Sequence, residues 1–161
     1  MEYKIPEFQE AARGLLEVME KVSERIARGM EILSQPLDTS VGTTPADLIY
    51  EEDKLKLFHY RPLRKEISPI PVLMVYALVN RQYMLDLQPD RSAVRRLLEK
   101  GMNLYIIDWG YPTPMDRYLT LDDYVNGYLD RCVDEVRKHA GVEKINLLGI
   151  CQGGTLSLMY T

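Results

Sequence analysis

Residues 71–78 read PVLMVYAL, an apolar run with no polar residue to give it a wet face. A strand open to water on one side alternates with period two, whereas a strand covered on both faces is apolar throughout. Residues 103–107 and 144–150 supply two further runs of this buried type. Helical periodicity fills the gaps between them. Asp90 is placed to cap a helix running to Lys100 and closed by Gly101. Thr120 and Asp123 make a capping-box-like start to a longer helix. Its apolar face is Leu121, Tyr124, Val125, Tyr128, Leu129, Cys132, Val133 and Val136, and it ends at Gly141. Buried strands alternating with helices long enough for crossovers predict an α/β domain with a mostly parallel sheet.

Upstream, apolar residues at spacings of three and four predict one amphipathic helix over residues 8–33, ended by Gln35-Pro36. Such a face packs either on its own domain or on a partner or granule surface. This gives an N-terminal helical region, residues 1–36, and a domain from 44 to 161. Thr44-Pro45 is expected to open a short helical turn. Residues 54–60 alternate like an outer strand with one wetter face.

A net charge of −4 argues against nucleic acid as the main partner, because phosphate binding needs a basic face. No uncharged apolar run is long enough for a transmembrane segment. The first residues lack the apolar core of a signal peptide. Two cysteines make no disulfide framework and fit a reducing cytoplasm, and no metal-ligand pattern is present.

The chemistry concentrates at Gly149-Ile150-Cys151-Gln152-Gly153-Gly154. On the elements above, this stretch is strand, sharp turn, helix. That is a nucleophile elbow of the α/β-hydrolase fold, with Cys151 in the place usually held by serine. Gly149 and Gly153, two residues either side, let the helix cross close to the strand. The first turn of a helix favours negative charge, which suits a nucleophilic sulfur. Backbone N–H groups there also face an oxyanion forming on an attacked carbonyl. Gln152 N–H is one expected donor, and Val79 or Asn80, in the loop after the first buried strand, is the other.

Sulfur instead of oxygen carries information. Exchanging one thioester for another is nearly thermoneutral, so an acyl group on Cys151 stays activated. Transfer to a hydroxyl is then downhill, which suits an acyltransferase drawing on a thioester such as an acyl-CoA. A cysteine-dependent hydrolase of esters or lactones fits the same elbow, and so does a non-catalytic fragment whose working surface is the N-terminal helix. Cys132, on an apolar helix face, reads as buried and inert. His59 and His139 both precede the nucleophile, whereas this fold orders its triad as nucleophile, acid, histidine. Asp108 reads as the cap of the Trp109-Gly110 turn. The triad acid and histidine are therefore expected beyond Thr161, with the strand over 144–150 left as an unpaired apolar edge.

Several longer blocks carry a family resemblance: Tyr76-Ala77-Leu78-Val79-Asn80-Arg81, Asp86-Leu87-Gln88-Pro89-Asp90-Arg91-Ser92, and Tyr105-Ile106-Ile107-Asp108-Trp109-Gly110-Tyr111-Pro112. Leu121-Asp122-Asp123-Tyr124, Asn126-Gly127-Tyr128 and the elbow continue them. The chain resembles the N-terminal half of the catalytic subunit of two-component polyhydroxyalkanoate synthases, class III type, with class IV next. The resemblance implies polymerisation of (R)-3-hydroxyacyl-CoA, typically 3-hydroxybutyryl-CoA, into polyester with release of CoA. It implies no cofactor beyond the CoA of substrate and product. Cys151 would carry the acyl group or growing polyester chain, with Val79 in the oxyanion-hole segment. A second synthase subunit and the granule surface in the cytoplasm are the implied partners.

Overall fold

The computed structural model describes residues 6–34 and 40–161, with side chains in the first stretch from Ala12 onward. Two compact units divide at Thr39/Ser40. The first is the single helix α1, Pro6–Ser34, over the stretch where the three-and-four spacing placed it. The second holds all the strands among the described residues.

That second unit starts with a hairpin, β1 (Ala46–Glu52) and β2 (Leu55–Tyr60), turning at Asp53 with φ +53°. It continues through β3 (Val72–Val75), α2 (Ala93–Glu99) and β4 (Leu104–Asp108). A π-wound segment, Asp123–Leu129, runs directly into α3 (Asp130–Ala140). The chain then forms β5 (Asn146–Gly149) and α4 (Gln152–Tyr160). The sheet order is β1-β2-β4-β3-β5. β4, β3 and β5 are mutually parallel, while β1 and β2 add antiparallel to the far side of β4. The sheet is thus mixed, with its parallel character confined to the three strands that read as buried. β5 is the outermost strand on its side among the described residues.

Alternation along β4 shows why its run is apolar throughout. Tyr105 and Ile107 join a core with Leu73, Val75, Leu129, Val133 and Leu156, beneath α3 and α4. Leu104 and Ile106 face the other way, into a core with Met74, Val94 and Leu98 beneath α2. A strand sandwiched in this way has no face left for polar side chains. Cys132 is fully buried in the first core, as expected, and desolvation there pushes its thiol up to about 12.

Three local expectations are corrected. The strand expected at the outside over residues 54–60 is interior: β2 pairs with β1 on one side and β4 on the other. Thr44-Pro45 opens no helix: the chain runs straight into β1, and Thr44 is buried instead of capping. Its N–H and hydroxyl both donate to the Asp86 carboxylate, at 2.9 and 2.7 Å. The cap of α2 is Ser92, two residues after Asp90, its hydroxyl accepting from Arg95 N–H at 2.8 Å. Ser92 also donates to Asp86, at 2.5 Å. The fully buried Asp86 carboxylate therefore takes three protein donors and ties the start of β1 to the start of α2. Asp86→Ala would strand those donors away from water, at about 1–3 kcal/mol for each buried group. We expect a loss of roughly 3 kcal/mol or more in urea unfolding with the m-value unchanged, and about half of that for Asp86→Asn, which keeps one acceptor.

At the N-terminal end of β4, His59 stacks on Tyr105 with centroids 4.3 Å apart, and its Nε2 meets Asn103 Oδ1 at 2.8 Å. The Tyr105 hydroxyl meets His139 Nδ1 at 2.9 Å. Burial holds His59 below its ordinary value of 6.5, against a smaller upward pull from the Asn103 bond. The unfolded chain therefore takes up a proton more readily, and the stability linked to His59 is present above 6.5 and lost as the pH falls from there through the lowered folded value. The urea midpoint should drop between about pH 7 and pH 5, and His59→Gln should flatten that part of the profile.

Candidate active site

All three parallel strands point their C-terminal ends the same way, and Cys151 stands just past the end of β5. Register places Val75 opposite Gly149, and Ile150 N–H extends the ladder by donating to Val75 carbonyl oxygen at 2.9 Å. The backbone then bends sharply. Cys151 has φ +58° and ψ −130°, one of two non-glycine residues with positive φ among those described. For a residue with a Cβ this costs roughly 1–3 kcal/mol and persists only when its surroundings enforce it. The enforcing bonds are short: Gly153 N–H to Ile150 O at 3.0 Å and Gly154 N–H to Cys151 O at 2.9 Å. Cys151 itself is exposed, held at the first turn of α4.

The elbow closes only because two positions lack a side chain. A Cβ on Gly153 would lie 1.9 Å from the Val75 carbonyl oxygen, and one on Gly149 would lie 2.5 Å from Gly154 Cα. Both are backbone obstacles on paired elements. Both glycines picked out from the motif are therefore steric requirements of the strand-to-helix crossing.

The loop after β3 is pinned beside this turn by three side chains. Trp109 Nε1–H donates to the Tyr76 carbonyl at 3.0 Å. The Gln152 side chain accepts from Leu78 N–H at 3.1 Å. Arg81 pairs with Asp108 at 2.8 Å, and its guanidinium lies 4.1 Å above the Tyr111 ring. Asp108 also caps its own turn as expected, accepting from Gly110 N–H at 2.9 Å. Val79 lies between the last two pins, 80% exposed, with Asn80 exposed beside it. The Gln152 tie joins the residue after Cys151 to the residue before Val79, so the two expected oxyanion segments are held together. The motif alone gives Gln152 only a backbone role. A side-chain amide directly after a nucleophile was the available signal, but its partner lies 74 residues away.

The histidines stand elsewhere. His59 is opposite Tyr105 in the β2–β4 register, three residues back from Asp108, or about 10 Å toward the other end of the sheet. His139 shares that end through Tyr105. Neither can serve Cys151 as a base from there. Among the described residues no cluster of three or more His, Cys, Asp or Glu could hold a metal ion. Nor is any helix among them long and apolar enough to cross a membrane.

Three parallel strands feeding a strained elbow between two obligatory glycines define the chain as an α/β-hydrolase-fold protein, and the family model for the alpha/beta hydrolase fold matches residues 70–161. Within that class the model for the N-terminus of poly-beta-hydroxybutyrate polymerase matches residues 10–97, more than half the chain. The chain belongs to the polyhydroxyalkanoate polymerase family, a family of acyltransferases. It is 53% identical over 149 residues to the poly(3-hydroxyalkanoate) polymerase subunit PhaC of Allochromatium vinosum, covering 91% of this chain and 42% of that protein. The corresponding subunit of Haloferax mediterranei is 55% identical over 123 residues, 76% of this chain and 25% of its own length. That of Cupriavidus necator is 35% identical over 117 residues, 73% of this chain and 20% of its own. The chain thus spans about two-fifths or less of the length of these relatives.

Proposed function

We propose that Cys151 is the nucleophile of a polymerase that transfers (R)-3-hydroxyacyl groups from CoA to a growing polyester. The observation that carries this reading is the positive φ of Cys151 between β5 and α4, with its side chain exposed. In the first step the sulfur attacks the thioester carbonyl. A new carbon–sulfur bond forms, the bond to CoA breaks, and CoA leaves as a thiolate that takes up the proton lost by Cys151. In the second step the hydroxyl of another acyl unit attacks the Cys151 thioester. A carbon–oxygen bond forms, the carbon–sulfur bond breaks, and the hydroxyl proton passes to the released thiolate.

Backbone N–H groups of Gln152 and Val79 are the proposed donors to the oxyanion in both steps. The acid and histidine that complete such a site are proposed to come from parts of the whole protein outside residues 1–161, and this chain alone is proposed to be inactive. A second synthase subunit and a granule surface in the cytoplasm are proposed as its setting.

The test uses the whole protein with 3-hydroxybutyryl-CoA. Insoluble polyester and stoichiometric free CoA are expected, together with inactivation by alkylation of Cys151. Free hydroxybutyrate as the sole product would instead identify a hydrolase. Alkylation of Cys151 no faster than a free peptide thiol, with no turnover, would leave only a binding role.

Gln152 is proposed as a positioning residue. Losing its bond to Leu78 N–H lets the Val79 segment drift, and a misplacement of about 1 Å can cost ~100-fold in rate. Gln152→Ala should lower kcat by about 10–100-fold with KM little changed, while Gln152→Glu, which keeps an acceptor, restores most of it. Equal rates in both variants would refute the role.

A further inference from the structure

On the α2 side of the sheet unit the strands leave a cleft that the elbow chemistry does not use. Its volume is about 330 Å³, and it opens beside the exposed residues Gly42 and Thr43. Ala46, Phe58 and Ile106 give it apolar walls, while Thr44, Tyr60 and Gln82 supply its polar edges. Phe58 and Ile106 pack in the core beneath α2, whereas α4, headed by Cys151, sends Leu156 into the opposite core. The cleft is therefore a second place for a ligand, apart from the sulfur.

One atom there lacks what a folded chain ordinarily supplies. Gln82 Oε1 is buried and has no hydrogen-bond partner. Such atoms are uncommon, because burial forfeits the bond to water and nothing replaces it. Turning the amide end for end would only strand a donor in place of the acceptor. A hydroxyl answers both orientations, since it donates and accepts. Tyr60, 5% exposed, also lines the cleft, with no partner for its hydroxyl among the described residues. Burial and the nearby Asp86 charge hold that hydroxyl protonated, above the usual phenol range. It is thus a ready donor to a carbonyl oxygen.

Charge and size narrow the ligand. No lining residue is charged, and Thr44 is bonded to the Asp86 carboxylate, which disfavours an anion beside it. At roughly 30 Å³ for each water-sized group, the volume admits about eleven non-hydrogen atoms, close to two four-carbon hydroxyacyl units. An uncharged molecule with a hydroxyl, an ester carbonyl and short alkyl groups meets every one of these demands. We infer that the cleft holds the hydroxyl end of a neutral hydroxy ester. Its hydroxyl meets the Gln82 amide, its carbonyl accepts from Tyr60, and its alkyl groups lie on Phe58 and Ile106. Under the polymerase reading, on which the source of this ligand rests, it is the free end of the polyester, held away from Cys151.

The probe is the methyl ester of the (R)-3-hydroxybutyrate dimer, added to the whole protein carrying Cys151→Ala so that nothing turns over. Ligand-observed NMR should show saturable binding, with Kd on the order of 1 mM for a molecule of this size. The same ester acetylated on its hydroxyl should bind about tenfold more weakly, and so should the free hydroxyl ester to the Gln82→Leu variant. Gln82→Leu should meanwhile raise the urea midpoint, because leucine leaves no polar atom stranded. Should that variant fail to fold, the acetylated ester still decides. Absence of saturable binding overturns the inference, as does equal binding of the acetylated ester or equal binding by Gln82→Leu. Turnover of 3-hydroxybutyryl-CoA by the unaltered protein is read separately. Turnover without binding sinks the cleft alone, whereas binding without turnover upholds the cleft and overturns the polymerase reading.

Discussion

Cys151→Ala in the whole protein is expected to lower CoA release from 3-hydroxybutyryl-CoA by at least ~10⁴-fold, with the fold intact. Removing a nucleophile from a site that acts as a unit costs on that order, because the remaining groups have nothing to activate or stabilise. The substitution is structurally mild. Cys151 is exposed, its positive φ is imposed by neighbouring backbone bonds, and alanine adopts the same backbone with no more strain than cysteine. Unfolding midpoints should therefore agree within about 0.5 kcal/mol.

Cys151→Ser sharpens the comparison. Acylation of serine by a CoA thioester already converts a thioester to an oxygen ester, so the later transfer to a hydroxyl has lost its driving force. Serine should release CoA slowly and stall with the acyl group attached, in a bond that neutral hydroxylamine does not cleave. Cysteine should give a hydroxylamine-sensitive adduct that turns over. Serine supporting polymer growth at a rate comparable to cysteine would show that the choice of sulfur has no energetic basis.

How much of this was legible beforehand follows from how local each determinant is. The runs that become β3, β4 and β5 were readable because burial on both faces leaves a compositional mark on the residues themselves. Elbow glycines were readable for a related reason: the crossing of β5 and α4 is set within six residues, from Gly149 to Gly154. β1 was not legible as a strand, since none of its residues is buried and its place depends on pairing with β2. The Thr44 error has the same origin. Thr-Pro is a good local helix start, but Asp86, 42 residues away, captures both its N–H and its hydroxyl. Asp90 and Ser92 are both good caps by type, and the choice between them rests on the same carboxylate, which Ser92 alone reaches. The pins on the Val79 loop share this character: Trp109, Gln152 and Asp108 each reach across strands that sequence order separates. Local rules saw the reactive residue, while the frame aiming it came from contacts between remote segments.

Gly153→Ala should be the most damaging single-methyl change in the sheet unit, and a graded series of glycine substitutions can establish why. A Cβ at position 153 would sit 1.9 Å from the Val75 oxygen and 2.4 Å from its carbonyl carbon. Neither atom can retreat, because Val75 lies in β3 between β4 and β5 and its oxygen already accepts from Ile150 N–H. Relief requires α4 to move away by more than 1 Å, which breaks the turn that holds Cys151 and opens the packing of Leu156 in the main core. A penalty above about 4 kcal/mol is expected, a large part of the stability of an ordinary domain, so the variant should be largely insoluble or non-cooperative in unfolding. Gly149→Ala meets Gly154 Cα at 2.5 Å and Gly153 O at 2.6 Å, a lesser overlap than the 1.9 Å at position 153, and should cost less but still abolish the elbow geometry. Gly154→Ala meets nothing closer than 3.5 Å, an ordinary contact, and at a helical position alanine is favoured over glycine by up to about 1 kcal/mol. The order 153, then 149, then 154 is thus set by distance to immovable backbone, although the motif presents all three as the same residue. Equal tolerance at 153 and 154 would mean that β5 and α4 do not cross this closely, and Cys151 would then lose the constraint that presents it.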